Sequence, residues 1–485
     1  MSPSIPVRRI AVIGAGPSGL AAVKYLLAEK CFEKIDVYER RDQPAGVWNY
    51  CPATFKQLMK TPVPQTTPNV GLEEPIWHPK EHSKDQMEPT FVSPIYSTLD
   101  TNIPKELMAY GEKAFPADSQ ELPKYTTVKQ YLDEYAAGVK HLVQFETQVL
   151  DVRLKEQGSQ TWALTTRNLR TRADRTETYD AVIVASGHFD VPYLPDIVGI
   201  KDWDAAYPGN ISHSKLYDSP DPFRGKKVIV VGSSASGLDI GNQINKVSKG
   251  KVLASHRVMP LPTTTDKIYV PEIVEFLSPA THDRAVRFAD GRVEAQVDAI
   301  LFCTGYFYSF PFLSSLDPPV VTDGRRVENI YQHLFYAPNP TLIFPVLPQR
   351  IIPFPLAENQ AAVFSRVLSG RLALPSYAEM KEWESSTLEQ RGSGTPFHLM
   401  PFPLDADYMN MLHDWASKAE PRPGLSNDQT GKRCNRWGEK NKWIRQLTPE
   451  IRRVFFEKGE ERRTIKSLEE LGYNYEQWQK EQATL

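Results

Sequence analysis

Residues 9–39 read RIAVIGAGPSGLAAVKYLLAEKCFEKIDVYE, and this stretch decides the fold. Arg9 to Ile13 is a short β-branched apolar run, the residues from Leu20 carry helical patterning, and IDVYE is a second strand ending in an acid at Glu39. The segment is therefore a β-α-β unit. At its turn, Gly14 permits the tight strand-to-helix bend, Gly16 lets the backbone approach a pyrophosphate, and Gly19 lets helix and strand pack closely. Free N–H groups and the helix dipole hold the phosphate at the helix N-terminus. Glu39 is placed to accept hydrogen bonds from the ribose hydroxyls of an adenosine.

The pattern recurs at residues 227–257, KVIVVGSSASGLDIGNQINKVSKGKVLASHR, and the same interval of 25 residues separates Gly14 from Glu39 and Gly232 from Arg257. Gly232 and Gly237 keep the outer glycines, Ser234 replaces the middle one, and the hydroxyls of Ser234 and Ser236 can donate to phosphate. Arg257 stands where the first unit has its acid. A guanidinium pairs with a 2′-phosphate that a carboxylate would repel, so the second ligand reads as NADP(H) and the first as FAD. Arg257 as a surface cation beside an NAD-type site stays open. Two dinucleotide sites imply electron traffic, and Cys31, Cys51, Cys303 and Cys434 supply no redox pair at C-x-x-C spacing. Oxygen is then the natural electron acceptor.

Working outward, 485 residues exceed a single core, which stops growing near ~250–300 residues. An α/β fold follows, with two Rossmann-like dinucleotide-binding domains, the smaller NADPH domain inserted in the FAD domain. The expected boundaries are 1–204 for the first part of the FAD domain, 205–325 for the NADPH domain, and 326–485 for its completion with a polar helical tail. A net charge of −2 provides no field for nucleic acid or an anionic membrane, and no apolar run approaches the ~18–20 residues of a bilayer span. Neither signal peptide nor disulfide framework is indicated, so a cytoplasmic protein is expected. Homo-oligomerisation is left open.

Ten of the 40 prolines fall between Pro44 and Pro104, which predicts a mostly irregular but ordered cover rather than regular structure. The runs DAVIVA and AILFC read as buried parallel strands ending at Gly187 and at Thr304-Gly305, where a backbone approaches a ligand. His78 and His82 are four apart, but Pro79 between them argues against a metal pair, and no metal is expected.

Residues 207–217, YPGNISHSKLY, resemble the F-x-G-x-x-x-H-x-x-x-(F/Y/W) signature of class B flavoprotein monooxygenases, with Tyr207 in place of the usual Phe. GVW at 46–48, TNIPKELM at 101–108 and CTGY at 303–306 resemble further elements of the flavin-containing monooxygenase branch, in family order across residues 8 to about 375. The tail resembles that of soluble fungal or yeast members.

The resemblance implies that NADPH reduces FAD, that dioxygen adds at flavin C4a, and that the hydroperoxide oxidises a soft nitrogen or sulfur of a small amine, thioether or thiol. It implies Asn102 and His213 as the candidate catalytic residues, Asn102 as the flavin-side asparagine that helps hold NADP and oxygen, and His213 in the segment joining the two dinucleotide domains. Trp48 would lie against FAD, and Val47, Val149 and Ser214 complete the cofactor-binding set. Other roles stay open on the residues alone: a turn residue before Pro104 for Asn102, a structural hydrogen bond for His213, core packing for Trp48. Tyr217 at the end of the signature matches the heteroatom-oxidising branch, whereas Baeyer–Villiger members typically carry Trp there. A Baeyer–Villiger oxygenase acting on ketones and a non-oxygenating NADPH oxidase or reductase remain the alternatives.

Overall fold

The computed structural model describes residues 7–80, 83–156, 161–257 and 266–484. The chain forms two compact units: Met1–Asn49 with Leu99–Gly187 and Phe310–Leu485, and Tyr50–Thr98 with His188–Ser309.

In the first unit, strand Arg9–Ile13 lies between Ala181–Val184 and Lys34–Tyr38, parallel to both. Leu342–Ile343 and Val143–Gln144 extend the parallel part on either side, and two short antiparallel strands, Phe335–Tyr336 and Ile330–Tyr331, finish a seven-stranded sheet. Because the central strands are covered on both faces, their sequences are continuous rather than alternating apolar runs; Ala181–Val184 is buried at every position. Helix Pro17–Ala28 packs along helix Pro353–Leu368. The second of these helices is so deep that even Glu358, Asn359 and Gln360 are buried, and each is hydrogen-bonded, Glu358 accepting from Gly111 N–H and Asn435 Nδ2 at 2.7 Å each.

The second unit carries its own five-stranded parallel sheet, in the order Ile211–His213, Ala299–Phe302, Val228–Val231, Leu253–His256, Ile268–Pro271. Each unit thus holds one Rossmann-like β-α-β module, as the repeated pattern predicts.

The units begin and end elsewhere than at 205 and 325. Residues 188–204 belong to the second unit because Val191–Pro192 pairs antiparallel with Tyr306–Phe307 and Leu194 bridges Gln65. Residues 310–325 belong to the first, where Pro311–Leu313 packs on strand Thr147–Leu154 and Phe310 meets Phe344 at 5.1 Å. The proline-dense stretch is more regular than its composition predicts. Ile76–Lys80 and Ser83–Thr90 form a two-stranded antiparallel hairpin, in which Pro79 and Pro89 are tolerated because a two-stranded ribbon has two free edges.

No described helix is long and apolar enough to cross a membrane. Among the described residues no group of three or more His, Cys, Asp or Glu side chains is placed to hold a metal ion; His82 lies outside them.

Candidate active site

In the first unit the chain leaves strand Arg9–Ile13 through Gly14 at φ +102°, a conformation that L side chains avoid, and a Cβ there would come within 2.5 Å of the Ala185 carbonyl oxygen. A Cβ at Gly19 would overlap the Gly14 carbonyl, so helix Pro17–Ala28 starts flush against the strand. Pro17 opens the helix without an N–H to orphan, and the remaining N–H groups of the first turn have no partner within the helix.

Glu39 is buried beside this turn. Its carboxylate accepts the Ala15 N–H at 2.8 Å and the Arg41 N–H at 2.9 Å, while Gly14 N–H donates to the Tyr38 carbonyl at 2.8 Å. The acid is therefore held at the turn, each oxygen keeping a further acceptor position.

Val47 and Trp48 reach the same place by a separate route. Gly46–Trp48 forms one 3₁₀ turn whose Gly46 packs on Gly16, anchored by Ala45 N–H to the Ala15 carbonyl at 3.0 Å. Asn49 locks that turn by donating from Nδ2 to the carbonyls of Pro44 and Gly46 at 2.8 and 2.9 Å. The half-buried Trp48 ring stands edge-on to Phe354 at 6.3 Å. Val149 is buried two residues beyond Thr147, whose N–H binds the Glu39 carbonyl, and Gly187, at φ +77° with open space about its Cα, ends the neighbouring strand segment.

Among the described residues no hydrogen bond joins Asn102 to this group. It is half-buried on a segment pinned at Thr101 N–H to the Pro123 carbonyl, and at Asp100, whose carboxylate receives Gln120 Nε2 at 2.9 Å and the Arg462 guanidinium at 2.9 Å. The same segment is tied at Lys105 N–H to the carbonyl of Glu121 at 3.0 Å, and the Glu121 carboxyl is buried, where desolvation pushes it up to about 8.

The second unit repeats the backbone device. Gly232 sits at φ +117° with its would-be Cβ 2.5 Å from the Cys303 carbonyl, and a Cβ at Gly237 would overlap the Gly232 carbonyl. Ser234 is the N-cap of helix Ala235–Asn245 and makes no side-chain cap bond; Ser234 and Ser236 are exposed. Arg257 follows strand Leu253–His256 with 79% of its side chain exposed, its Nε 3.4 Å from Glu272.

His213 is fully buried. Its Nδ1 accepts the Lys215 N–H at 3.1 Å, and burial lowers its pKa to about 3, with the Gly305 backbone acting in the opposite direction. Ser214 is buried against the Cys303 thiol and the Tyr306 phenol. The Thr304 hydroxyl donates to the Tyr193 carbonyl, and the Gly305 carbonyl accepts Tyr193 N–H at 2.9 Å.

Sequence reasoning missed Asn49, which reads as an ordinary loop residue, and the buried Lys56. Nothing in composition or periodicity separates either from a solvated polar side chain.

The family model described as flavin-binding monooxygenase-like matches residues 72–260 and 270–427. Flavin-containing monooxygenase FMO GS-OX-like 2 of Arabidopsis thaliana is 35% identical over 430 residues, covering 84% of each chain. Flavin-containing monooxygenase ustF2 of Aspergillus flavus is 28% identical over 459 residues, 84% of this chain and 92% of that one. Among solved structures, S-allyl-L-cysteine S-oxygenase from Allium sativum superposes with a TM-score of 0.75 at 28% identity, covering 96% of both chains.

Proposed function

The chain belongs to the flavin-containing monooxygenase family, whose members use FAD and NADPH to act on small molecules with O2, and on that premise we propose that it oxygenates a soft nucleophilic nitrogen or sulfur. The observation that carries the reading is the pair of glycine turns with like backbone contacts and opposite closing charges, Glu39 buried at one and Arg257 open at the other. The first turn, with Glu39, Val47, Trp48, Val149 and Gly187, would hold FAD. The second, Gly232 to Gly237 with Arg257, would hold NADPH, and Ser214, Thr304 and Gly305 would line its strand ends.

Both fits are physical. The strand-helix junctions leave no room for a Cβ, so the first-turn N–H groups can meet a pyrophosphate directly, and an exposed guanidinium is available to a 2′-phosphate. Bound FAD, reduced by NADPH, supplies the activation of dioxygen that delivers one oxygen atom to the substrate and one to water.

The chain's own share is to bind, orient and exclude water. Asn102 can donate and accept without releasing a proton, and His213, fully buried, would fix the backbone at Lys215 through its Nδ1. Support for a nitrogen or sulfur substrate comes from Tyr217 at the end of the signature and from the S-oxygenase named among the similar structures. We place the enzyme in the cytoplasm, where its four cysteines, none of them in a disulfide, stay reduced.

The test is NADPH consumption against a panel of amines, sulfides and ketones with product masses. Gain of one oxygen on amines or sulfides is expected. Lactone or ester formation from ketones would instead select the Baeyer–Villiger reaction, and hydrogen peroxide as the sole product an oxidase.

A further inference from the structure

Lys56 is 1% exposed, and burial lowers its pKa to about 8. Its Nζ donates to the carbonyls of Ile95 at 2.6 Å and Tyr217 at 2.7 Å, with an Asp218 carboxylate oxygen 4.0 Å away. A buried ammonium is costly, and an apolar side chain of similar volume would pack without that cost. What the ammonium adds is a bond between two separate backbone segments, one leading directly into Tyr96 and one carrying Tyr217.

Both tyrosines then grip one helix. Tyr96 O–H donates to the Asp239 carboxylate, and Tyr217 O–H donates to Gln243 Oε1 at 2.9 Å. Gln243 closes the arrangement, with Nε2 on the same Asp239 oxygen at 3.1 Å and Oε1 receiving the Thr98 hydroxyl at 2.6 Å. The two rings meet edge-on at 5.3 Å. Asp239 and Gln243 are four residues apart on helix Ala235–Asn245, hence on one face, and Asp239 stands about one turn from the Ser234–Gly237 phosphate end.

We infer that Lys56, Tyr96 and Tyr217 form a clamp that sets the orientation of helix Ala235–Asn245 and thereby aims its N-terminus at the phosphates of NADPH. The inference rests on the reading of the second unit as the NADPH site. The three are positioning residues, since none touches the ligand end of the helix. Peptide N–H donors act on a phosphate only when aligned, so a small rotation of the helix weakens binding without altering a ligand contact. A Trp at position 217 would lack the phenolic O–H that reaches Gln243.

The experiment uses the FAD-loaded enzyme and titrates NADP⁺ by calorimetry. Tyr96→Phe and Tyr217→Phe each remove one oxygen atom and keep the packing, and each is expected to weaken NADP⁺ binding about tenfold. Lys56→Met is expected to weaken it at least as much. FAD content and the flavin spectrum should stay as in the parent enzyme, and KM for NADPH should rise more than kcat falls. Parent-like NADP⁺ affinity in both Phe variants, alongside weakened binding in Arg257→Ala, overturns the clamp and leaves the site reading standing. Parent-like affinity in Arg257→Ala as well removes the NADPH site from this unit, and the clamp falls with it. Loss of FAD in step with NADP⁺ affinity also overturns the inference, because it marks a general structural role.

Discussion

The two glycine-rich turns have the same backbone and different surroundings. Each starts from a glycine at strongly positive φ, +102° and +117°, pressed against the carbonyl of a neighbouring strand, and each closes with a glycine where a Cβ would strike the first. The first is then walled by its own unit: Gly46 sits on Gly16, and Glu39 is buried and bonded to the turn. In the second, residues Ser233 to Ser236 are exposed and Arg257 stands in solvent. A covered turn closed by an acid suits a cofactor that stays, and an open turn closed by a cation suits one that comes and goes.

Breaking the backbone device should have the largest effect. Gly14→Ala forces a side chain into the left-handed region at about 1–2 kcal/mol and drives its Cβ onto the Ala185 carbonyl, so little soluble, yellow protein is expected. Gly232→Ala makes the equivalent clash in the second unit, its Cβ driven onto the Cys303 carbonyl, and the expected outcome there is a yellow protein that no longer binds NADP⁺. Equal loss of flavin from both variants, read by absorbance after purification, would erase the distinction drawn between the turns.

The next effect concerns the closing charges. Arg257→Ala should raise KM for NADPH about tenfold and leave KM for NADH nearly unchanged, since the 2′-phosphate is the one group by which an exposed guanidinium can tell the two nucleotides apart. Equal changes for both nucleotides would defeat the assignment. For Asn102→Ala the expectation is uncoupling: NADPH consumed at a similar rate, less oxygenated product and more hydrogen peroxide. Unchanged coupling would remove Asn102 from the site.

The smallest effects are on stability, and they sharpen the comparison because each unit buries a costly ionisable group whose desolvation moves it into the range of ordinary buffers. Desolvation raises Glu121 from 4.5 to about 8 and lowers Lys56 from 10.5 to about 8. Between pH 4.5 and 8 the folded chain keeps a proton on Glu121 that the unfolded chain has lost, so this group's contribution to stability falls as pH rises. Glu121→Gln should therefore raise Tm above pH 8 and have little effect near pH 4. Between pH 8 and 10.5 the unfolded chain holds the proton on Lys56 that the folded chain has lost, so that contribution rises with pH, and Lys56→Met should flatten it. Melting curves across both windows check the two signs.

Most of the fold was legible because it rests on local rules. Apolar β-branched runs, glycines at fixed offsets and the closing residues Glu39 and Arg257 lie within two stretches of about thirty residues, where spacing specifies geometry. Legibility failed where a residue's meaning depends on distant partners. Thr304-Gly305 reads as a strand end where a backbone approaches a ligand, but nothing local foretells that the Thr304 hydroxyl donates to the Tyr193 carbonyl or that His213 is fully buried. The proline-dense stretch concealed a hairpin, because proline forbids central strands and says little about edges.

By itself the sequence determined two β-α-β modules, the charge that closes each, and membership of a flavin-containing monooxygenase family. Only the tertiary structure decided that Tyr50–Thr98 packs with the second module, that Glu39 fastens the first turn while Asn49 locks the Gly46–Trp48 turn against it, and that Lys56 joins the segments bearing Tyr96 and Tyr217. The reason is the range of the forces involved. Backbone dihedrals and hydrophobic period act between near neighbours in the chain, whereas a buried ammonium acquires its role only when folding brings carbonyl groups from remote segments to it and removes the water.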